Sequence, residues 1–407
     1  MMADDWQTMT VADLGRVVTG KTPPTAKPHL YGEGYPFITP TDIGSYRYCE
    51  PARQLSEEGR ESQCNLFLPV NSVCITCIAS VGKICMTDRP SFTNQQINSV
   101  IVDDTRHDPF FAYYLLQTRV EHLKSIAGGT ATPIINKTAF SEIEVSVPPL
   151  PVQRRIAGIL SAYDELMENS QRRIRLLEAM ARALYREWFV HFRFPGHVKH
   201  PRVPSALGDI PQGWEVKSIQ QFGTVITGKT PSKANADFYG DDVPFVKTPD
   251  MHGNMFILGT SDCLSTAGAE SQANKTLPAG SICVSCIGTI GVVSITTEDC
   301  QTNQQINSVV LANPASREFL FLRLQDAKQA LENLGANGAT MGNVNKGKFE
   351  AMEIVCPSDD VLARYHRLVE PMFSEILSLL RQIQNLCRTR DLLLPRLLSG
   401  QIEIGNN

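Results

Sequence analysis

The run Thr93–Val100 (TNQQINSV) returns without a change as Thr302–Val309. Other segments return in step with it: Trp6 as Trp214, Val17–Pro23 (VVTGKTP) as Val225–Pro231 (VITGKTP), Tyr31-Gly32 as Tyr239-Gly240, and Pro36-Phe37 as Pro244-Phe245. These early pairs lie 208 residues apart, whereas Cys74, Cys77, Gly82, Asn136, Lys137 and Phe140 recur 209 residues on as Cys283, Cys286, Gly291, Asn345, Lys346 and Phe349. A period of that size is too long for a solenoid repeat and long enough for a module with its own core, so two equivalent domains are expected. Hydrophobic residues at 42% and charged residues at 20% are the composition of a folded chain, not a disordered one.

Composition also narrows the setting. The stretch Met1–Trp6 is acidic and without the basic and apolar segments of a secretory leader, and no run approaches the roughly 18 apolar residues of a membrane span. A cytoplasmic location is therefore expected. Eleven cysteines, an odd number, fit free thiols better than a disulfide framework. The net charge of −4 opposes any simple nucleic-acid reading, because phosphates are neutralised by Lys and Arg. Contacts with DNA would have to come from local patches or be shared with partners.

Within each copy, short β-type runs such as Ser72–Ile78 and Ser281–Ile287 are broken by Gly, Pro and Asn, with helical pieces at Phe110–Val120 and Phe319–Leu331. That mixture predicts an α+β module. The end of each copy changes character. Ile156, Leu160, Tyr163, Met167, Ser170, Ile174, Leu177, Ala181, Leu184 and Trp188 alternate steps of four and three, a heptad seam. Its counterpart is Tyr365, Val369, Met372, Ile376, Leu379, Ile383, Leu386, Arg390, Leu393 and Leu397. Two long helices are predicted, each roughly 45 Å at about 1.5 Å per residue, with Pro371 a potential kink or true start of the second. Helix-packing residues are expected at Ile156, Leu160, Ile174, Leu177, Leu184, Trp188, Ile376, Ile383, Leu386 and Leu393. Between the copies, Phe192–Trp214 carries Pro195, Pro201, Pro204 and Pro211 and reads as an exposed linker. The expected division is 1–150, a first α+β domain; 151–190, a helix; 191–208, a linker; 209–358, a second α+β domain; 359–399, a helix; and 400–407, a tail.

Two motifs invite a chemical reading and do not sustain it. Gly15–Thr22 and Gly223–Thr230 fit the spacing of a phosphate-binding loop, in which the Lys and Thr open a helix. Here Pro23-Pro24 and Pro231 follow at once, and a residue before proline is driven out of the helical region. A strand ending in a Lys-bearing loop is the better account. Cys74-x-x-Cys77 and Cys283-x-x-Cys286 resemble half a zinc site each, but they sit in β-type sequence, where residues three apart face opposite ways. Buried core thiols are expected. No adenine-methylation motif, glycine-rich cofactor loop or Ser/His/Asp set is present, so the chain is expected to be no enzyme, with no catalytic residue, metal or cofactor.

The layout, with Leu150-Pro151 before Gln153–Ala157, Trp188–Val190 before Phe194–His197, and Leu392–Gly400 near the end, resembles the specificity subunit of type I restriction-modification systems over essentially the whole chain. The resemblance implies two target-recognition domains separated by two long helices packed as an antiparallel coiled coil, a pseudo-twofold tandem repeat. It further implies that each domain reads one half of a bipartite DNA target while the helices set the half-site spacing and dock two methyltransferase subunits. Restriction subunits would add ATP-driven translocation and cleavage. Competing readings are a nucleotide-hydrolysing enzyme using the Lys21 and Lys229 loops, and an adaptor for a fused restriction-methylation enzyme.

If the halves read different sequences, residues shared by both cannot discriminate bases and belong to scaffold or phosphate contacts. Shared candidates for DNA contact are Lys21, Thr22, Asn136 and Lys137, with Lys229, Thr230, Asn345 and Lys346. The shared Gln95-Gln96 and Gln304-Gln305 are expected to form a buried amide network. Base readers are expected in divergent loops: Gly44–Gln63 against Gly253–Gln272, Ala127–Asn136 against Ala336–Asn345, and Lys83–Arg89 against Val292–Glu298. Candidates here are Tyr46, Arg47, Lys83 and Arg89, with Arg47 and Arg89 suited to guanine; Lys247 is a further candidate for DNA contact.

Overall fold

A computed structural model describes residues 6–44, 46–128, 132–336 and 342–402. The chain divides into two compact units, Met1–Gln171 with Gln382–Asn407, and Arg172–Arg381. The division falls inside both long helices, so each unit holds one module and a part of each helix.

In the first unit, four antiparallel strands lie in the order Gly15–Thr19, Ile97–Val102, Val73–Thr76, Ile84–Met86. The register sets Val17 and Val73 against Val100 from opposite sides. Because side chains alternate across a strand, Val17, Val73, Ile75 and Val100 enter one core, against the helix Pro109–Thr118. Val18, Cys74, Cys85 and Ile97 enter a second core on the other face. That helix begins where its sequence says it should: Asp108 accepts a hydrogen bond from Phe111 N–H and Pro109 occupies the first turn. A smaller sheet joins Tyr31–Ile38 to Gln54–Leu55 and, in parallel, to Phe92–Thr93. Strand Gln7–Thr10 pairs with Glu144–Val147 and so closes the module immediately before the first long helix.

The second unit repeats this plan. Strands Gly223–Thr227, Ile306–Leu311, Ile282–Ser285 and Val293–Thr296 keep the order of their counterparts, with Phe256–Ile257 added in parallel at the edge. Glu215–Ser218 pairs with Glu353–Cys356 as the closing ladder. The helices Arg317–Asp326 and Lys328–Gly335 answer Pro109–Thr118 and Val120–Ala127.

The long helices run Leu150–Tyr185, 36 residues, continued by a π-helical turn Arg186–Val190, and Asp359–Leu398, 40 residues. Pro371 neither ends nor begins the second one. It lies on the exposed side, while Val369, Phe373 and Ile376 are buried on the other, and tertiary burial of an amphipathic face outweighs the loss of one backbone hydrogen bond.

Helix pairing is antiparallel within each unit. In the first, Arg390 Nη1 bonds Asp164 Oδ1 at 2.6 Å and Cys387 Sγ approaches Met167 Sδ at 3.1 Å, three residues forward on one helix matching three back on the other. In the second, Arg173 meets Glu375 and Tyr365 Oη donates to the Ala181 carbonyl at 3.3 Å.

The seam differs from the heptad expectation by one residue at three positions. Asp164, Tyr185 and Phe373 are buried where Tyr163, Leu184 and Met372 were expected. The expected positions on either side, Leu160 and Met167 in one helix and Val369 and Ile376 in the other, are buried, so the offsets are local. These helices also pack on a domain as well as on each other. Of the expected packing residues, Ile156, Leu160, Ile174, Trp188 and Ile376 are buried, and Leu177, Leu184, Ile383, Leu386 and Leu393 half-buried.

The stretch expected to be an exposed linker is anchored at both ends. Phe194 is 1% exposed and stacks on Trp214, which also meets Phe189 and Phe192. Between these anchors, residues 195–209 run largely in solvent.

Asp164 is 3% exposed and accepts a hydrogen bond from Tyr114 Oη as well as from Arg390. Burial and then the adjacent Asp164 carboxylate push the Tyr114 phenol well above its ordinary range. Burial pulls Arg390 down, yet Asp164 outweighs it and holds the guanidinium more firmly charged than usual. The positions matching Asp164 and Arg390 in the second unit are Phe373 and Ala181, both buried, with Phe373 edge-on to Phe321. Removing one partner of a buried pair strands the other. Arg390→Met is expected to destabilise the first unit by about 3 kcal/mol, and Asp164→Leu added to it to recover most of that loss. Urea unfolding of the two variants checks this; equal midpoints for single and double variants would contradict it.

Candidate nucleic-acid interface

One end of the main sheet in each unit gathers five loops, and backbone hydrogen bonds fix them together. In the first unit, strand Gly15–Thr19 runs into Gly20, whose position leaves no room for a Cβ against the carbonyls of Thr93 and Asn94. The Lys21 N–H donates to Thr93 O at 3.0 Å, Asn94 N–H to Ile38 O at 3.1 Å, and Cys77 N–H to Gln96 O at 2.7 Å. Ile135 N–H donates to Cys77 O at 2.8 Å, and Lys83 Nζ reaches Pro40 O at 2.9 Å. The loops after residues 19, 38 and 76, the turn before 97 and the segment 132–136 therefore share one site.

The second unit builds the same cluster. Gly228 abuts the carbonyls of Thr302 and Asn303; Lys229 N–H donates to Thr302 O at 2.9 Å, Asn303 N–H to Val246 O at 3.1 Å, Cys286 N–H to Gln305 O at 2.7 Å and Val344 N–H to Cys286 O at 2.9 Å.

On this frame both units display one polar set. Thr22 Oγ1 bonds Gln95 Oε1 at 2.5 Å, and Thr230 Oγ1 bonds Gln304 Oε1 at 2.6 Å, with the Lys21 and Lys229 side chains exposed alongside. The amide pairs thus split in function. Gln96 and Gln305 are half-buried and each exchanges two hydrogen bonds with Asn94 or Asn303. Gln95 and Gln304 are exposed, not parts of a buried network. Two hydrogen bonds from a side chain to its neighbour two residues away satisfy the inner amide locally and leave the outer one to face outward.

The phosphate-loop reading of Gly15–Thr22 has no support in this geometry. No helix starts at Lys21 or Lys229, and their N–H groups are already taken by Thr93 and Thr302 carbonyls. A nucleotide phosphate needs free N–H groups at a helix N-terminus.

The remaining candidates are dispersed. Arg47 is 4% exposed, paired with Glu168 at 3.1 Å and seated between the rings of Tyr48 and Phe110. A guanidinium so enclosed cannot fork onto guanine; it holds its loop on the first long helix. Tyr46 is exposed but donates to Gln171 of that helix at 2.6 Å. Arg89 is exposed in the turn beyond strand Ile84–Met86, at the sheet end opposite the loop cluster. Lys247 is half-buried against Asp262. Asn136 and Asn345 are helix caps, accepting from Ala139 N–H and Lys348 N–H at 2.9 Å each, a role that consumes their oxygens. Lys137 and Lys346 follow them and are exposed, Lys346 within 3.4 Å of Glu350. Parts of two divergent turns, 129–131 and 337–341, lie outside the described residues.

The thiols of the two Cys-x-x-Cys motifs are buried, Cys74 in one core and Cys77 in the other. No cluster of three or more His, Cys, Asp or Glu suited to a metal occurs among the described residues, and among them no helix is long and apolar enough to cross a membrane.

Comparison with known proteins agrees with this architecture. The sequence model of the type I restriction modification DNA specificity domain matches residues 3–179 and 211–361, one stretch for each module. The chain belongs to that family. It is 35% identical over 356 residues to the type I restriction enzyme HindI specificity subunit of Haemophilus influenzae, covering 72% of this chain and 77% of the relative. It is 27% identical to the MjaIX specificity subunit of Methanocaldococcus jannaschii, covering 98% and 94%. In structure it is similar to the S subunit of a type I restriction-modification system from Mycoplasma genitalium, with a TM-score of 0.62 at 14% identity over 98% of this chain and 97% of that one. The fold is that of a specificity subunit, and the chain is a DNA-recognition subunit.

Burial pushes the thiols of Cys77 and Cys286 up to about 11 and that of Cys283 up to about 12. A thiol reacts as its thiolate, so both motifs should be inert in the folded protein. At pH 7.5, maleimide should label the exposed Cys64 first and reach Cys77, Cys283 and Cys286 only on unfolding. Mass spectrometry of timed samples checks this; early labelling of the motif thiols would contradict their core placement.

Proposed function

We propose that each unit reads one half of a bipartite DNA target through its loop cluster, and that the paired helices set the spacing between half-sites and dock two methyltransferase subunits. The chain itself performs no catalysis. Adenine methylation and ATP-dependent cleavage fall to methyltransferase and restriction subunits of the complex. The observation that carries this reading is the twofold construction of one exposed Lys–Thr–Gln set, on identical backbone hydrogen bonds, amid side chains that differ.

The physical logic is a division of labour. Contacts with phosphate fix register without carrying sequence information, and base edges carry the information. A shared Lys beside a shared Thr–Gln pair suits the first task in both units. Their divergent neighbours suit the second. The net charge of −4 is consistent with partners supplying part of the positive surface around the duplex. Two unbroken helices of 36 and 40 residues that pair antiparallel suit a spacer, and half-sites one helical turn apart present the same face about 34 to 36 Å apart.

Lys21→Ala with Lys229→Ala is expected to weaken binding of the assembled complex to all duplexes alike and to lower the slope of log affinity against log salt by about one for each phosphate no longer neutralised. Titrations at several salt concentrations on target and non-target DNA check it; a change confined to target DNA would assign these lysines to bases. Inserting one heptad into both long helices lengthens the pair by about 10 Å, or roughly three base pairs. Mapping of methylated adenines should then show a longer spacer, and an unchanged spacer would remove the ruler from this reading.

A further inference from the structure

We infer that Ile134 and Asn343, the same position in the two modules, are base-reading residues: Asn343 reads adenine and Ile134 reads thymine. This deepens the reading of each unit as a half-site reader and rests on it.

The two residues sit on matching backbone. Ile78 forms an isolated antiparallel bridge with Ile134, and Ile287 forms the same bridge with Asn343. The next residue in each case is buried, Ile135 at 2% exposure and Val344 at 1%, and donates its N–H to the carbonyl of Cys77 or Cys286. Neighbouring residues of extended backbone face opposite ways, so a buried 135 or 344 turns 134 or 343 outward. Cys77 and Cys286 also donate their own N–H groups to Gln96 and Gln305. One peptide step therefore ties this position to the turn carrying the exposed Gln95 or Gln304, and places it beside the shared Lys–Thr–Gln set.

The side chains then differ where everything under them is the same. Ile134 is 52% exposed, a β-branched apolar group held in solvent with its neighbour anchoring the core. Asn343 is exposed, and its amide makes no hydrogen bond among the described residues. The nearby asparagines at 136 and 345 cap helices with their oxygens, so the free amide at 343 has no such structural duty. An asparagine amide presents a donor and an acceptor side by side, the complement of adenine N6 and N7 in the major groove. A methyl-bearing apolar group offers nothing to the polar edges of guanine or cytosine and packs well on the thymine methyl. Shared backbone with divergent exposed chemistry is what two readers of different half-sites require at a position that discriminates bases.

The test is selection from duplex DNA randomised over both half-sites, using the full chain alone and with the methyltransferase subunits of its own system. Asn343→Ile is expected to cut the preference for adenine at one position of one half-site by roughly ten- to a hundredfold and to shift it toward thymine, leaving the other half-site unchanged. Ile134→Asn should produce the opposite shift in the other half-site. Both side chains are exposed, so thermal unfolding should match the wild type and report an intact fold. A uniform loss of affinity, or an unaltered base preference with the fold intact, would overturn the assignment. A wild-type chain that selects no two-part sequence would instead overturn the reading on which it rests.

Discussion

Neither core is complete within one copy of the repeat. In the first unit, Leu14 and Phe111 share a single apolar cluster with Ile156 and Leu160 of the first long helix and with Leu397 and Leu398 of the second. Burying side chains of this size stabilises by about 1.5 to 3 kcal/mol each, so the helix ends are structural members of the domain. In the second unit, Tyr365 packs against Trp188 and Phe189, and Phe373 against Phe321. Antiparallel helix pairing is the constraint from which the remaining architecture follows.

The two interfaces reach the same geometry by different chemistry. Phe373 and Ala181 fill apolar space in the second unit, while Asp164, Tyr114 and Arg390 form a buried polar cluster in the first. A buried charge tolerates few partners, and a polar group at a helix seam is the best-attested device for selecting one register over another. Duplicated helices have an evident wrong option, pairing with the equivalent stretch of a second molecule. The Asp164–Arg390 pair makes the two seams unlike.

Much of this was legible in the amino-acid sequence because the repeat compares the chain with itself. The unaltered TNQQINSV runs proved to be the turn and strand on which both loop clusters are built, and the alternation around Cys74 and Cys77 told correctly that the thiols part to opposite faces. What stayed hidden was polar. Arg47 reads as an exposed base contact until Glu168, 121 residues away in the chain, is seen to neutralise it; no local pattern carries that pairing. Asn136 and Asn345 satisfy the N-cap rule in hindsight, but the five-residue helices they cap are too short for periodicity to announce. The shift from Tyr163 to Asp164 at the seam is local, since Leu160 and Met167 keep the expected positions on either side; it reflects a third packing partner, Tyr114 of the domain, that heptad counting ignores.

The division of the chain has a consequence for synthesis. Residues 172–381 form one unbroken stretch, whereas the first unit joins residues from both termini. As the polypeptide leaves the ribosome, the amino-terminal domain emerges first yet lacks Leu397 and Leu398, the last pieces of its interior. The later-made half can close before the earlier one. Domains usually mature in order of emergence; here the later-made half is the first whose residues are all present, and until 382–407 have emerged the first domain is without Leu397 and Leu398.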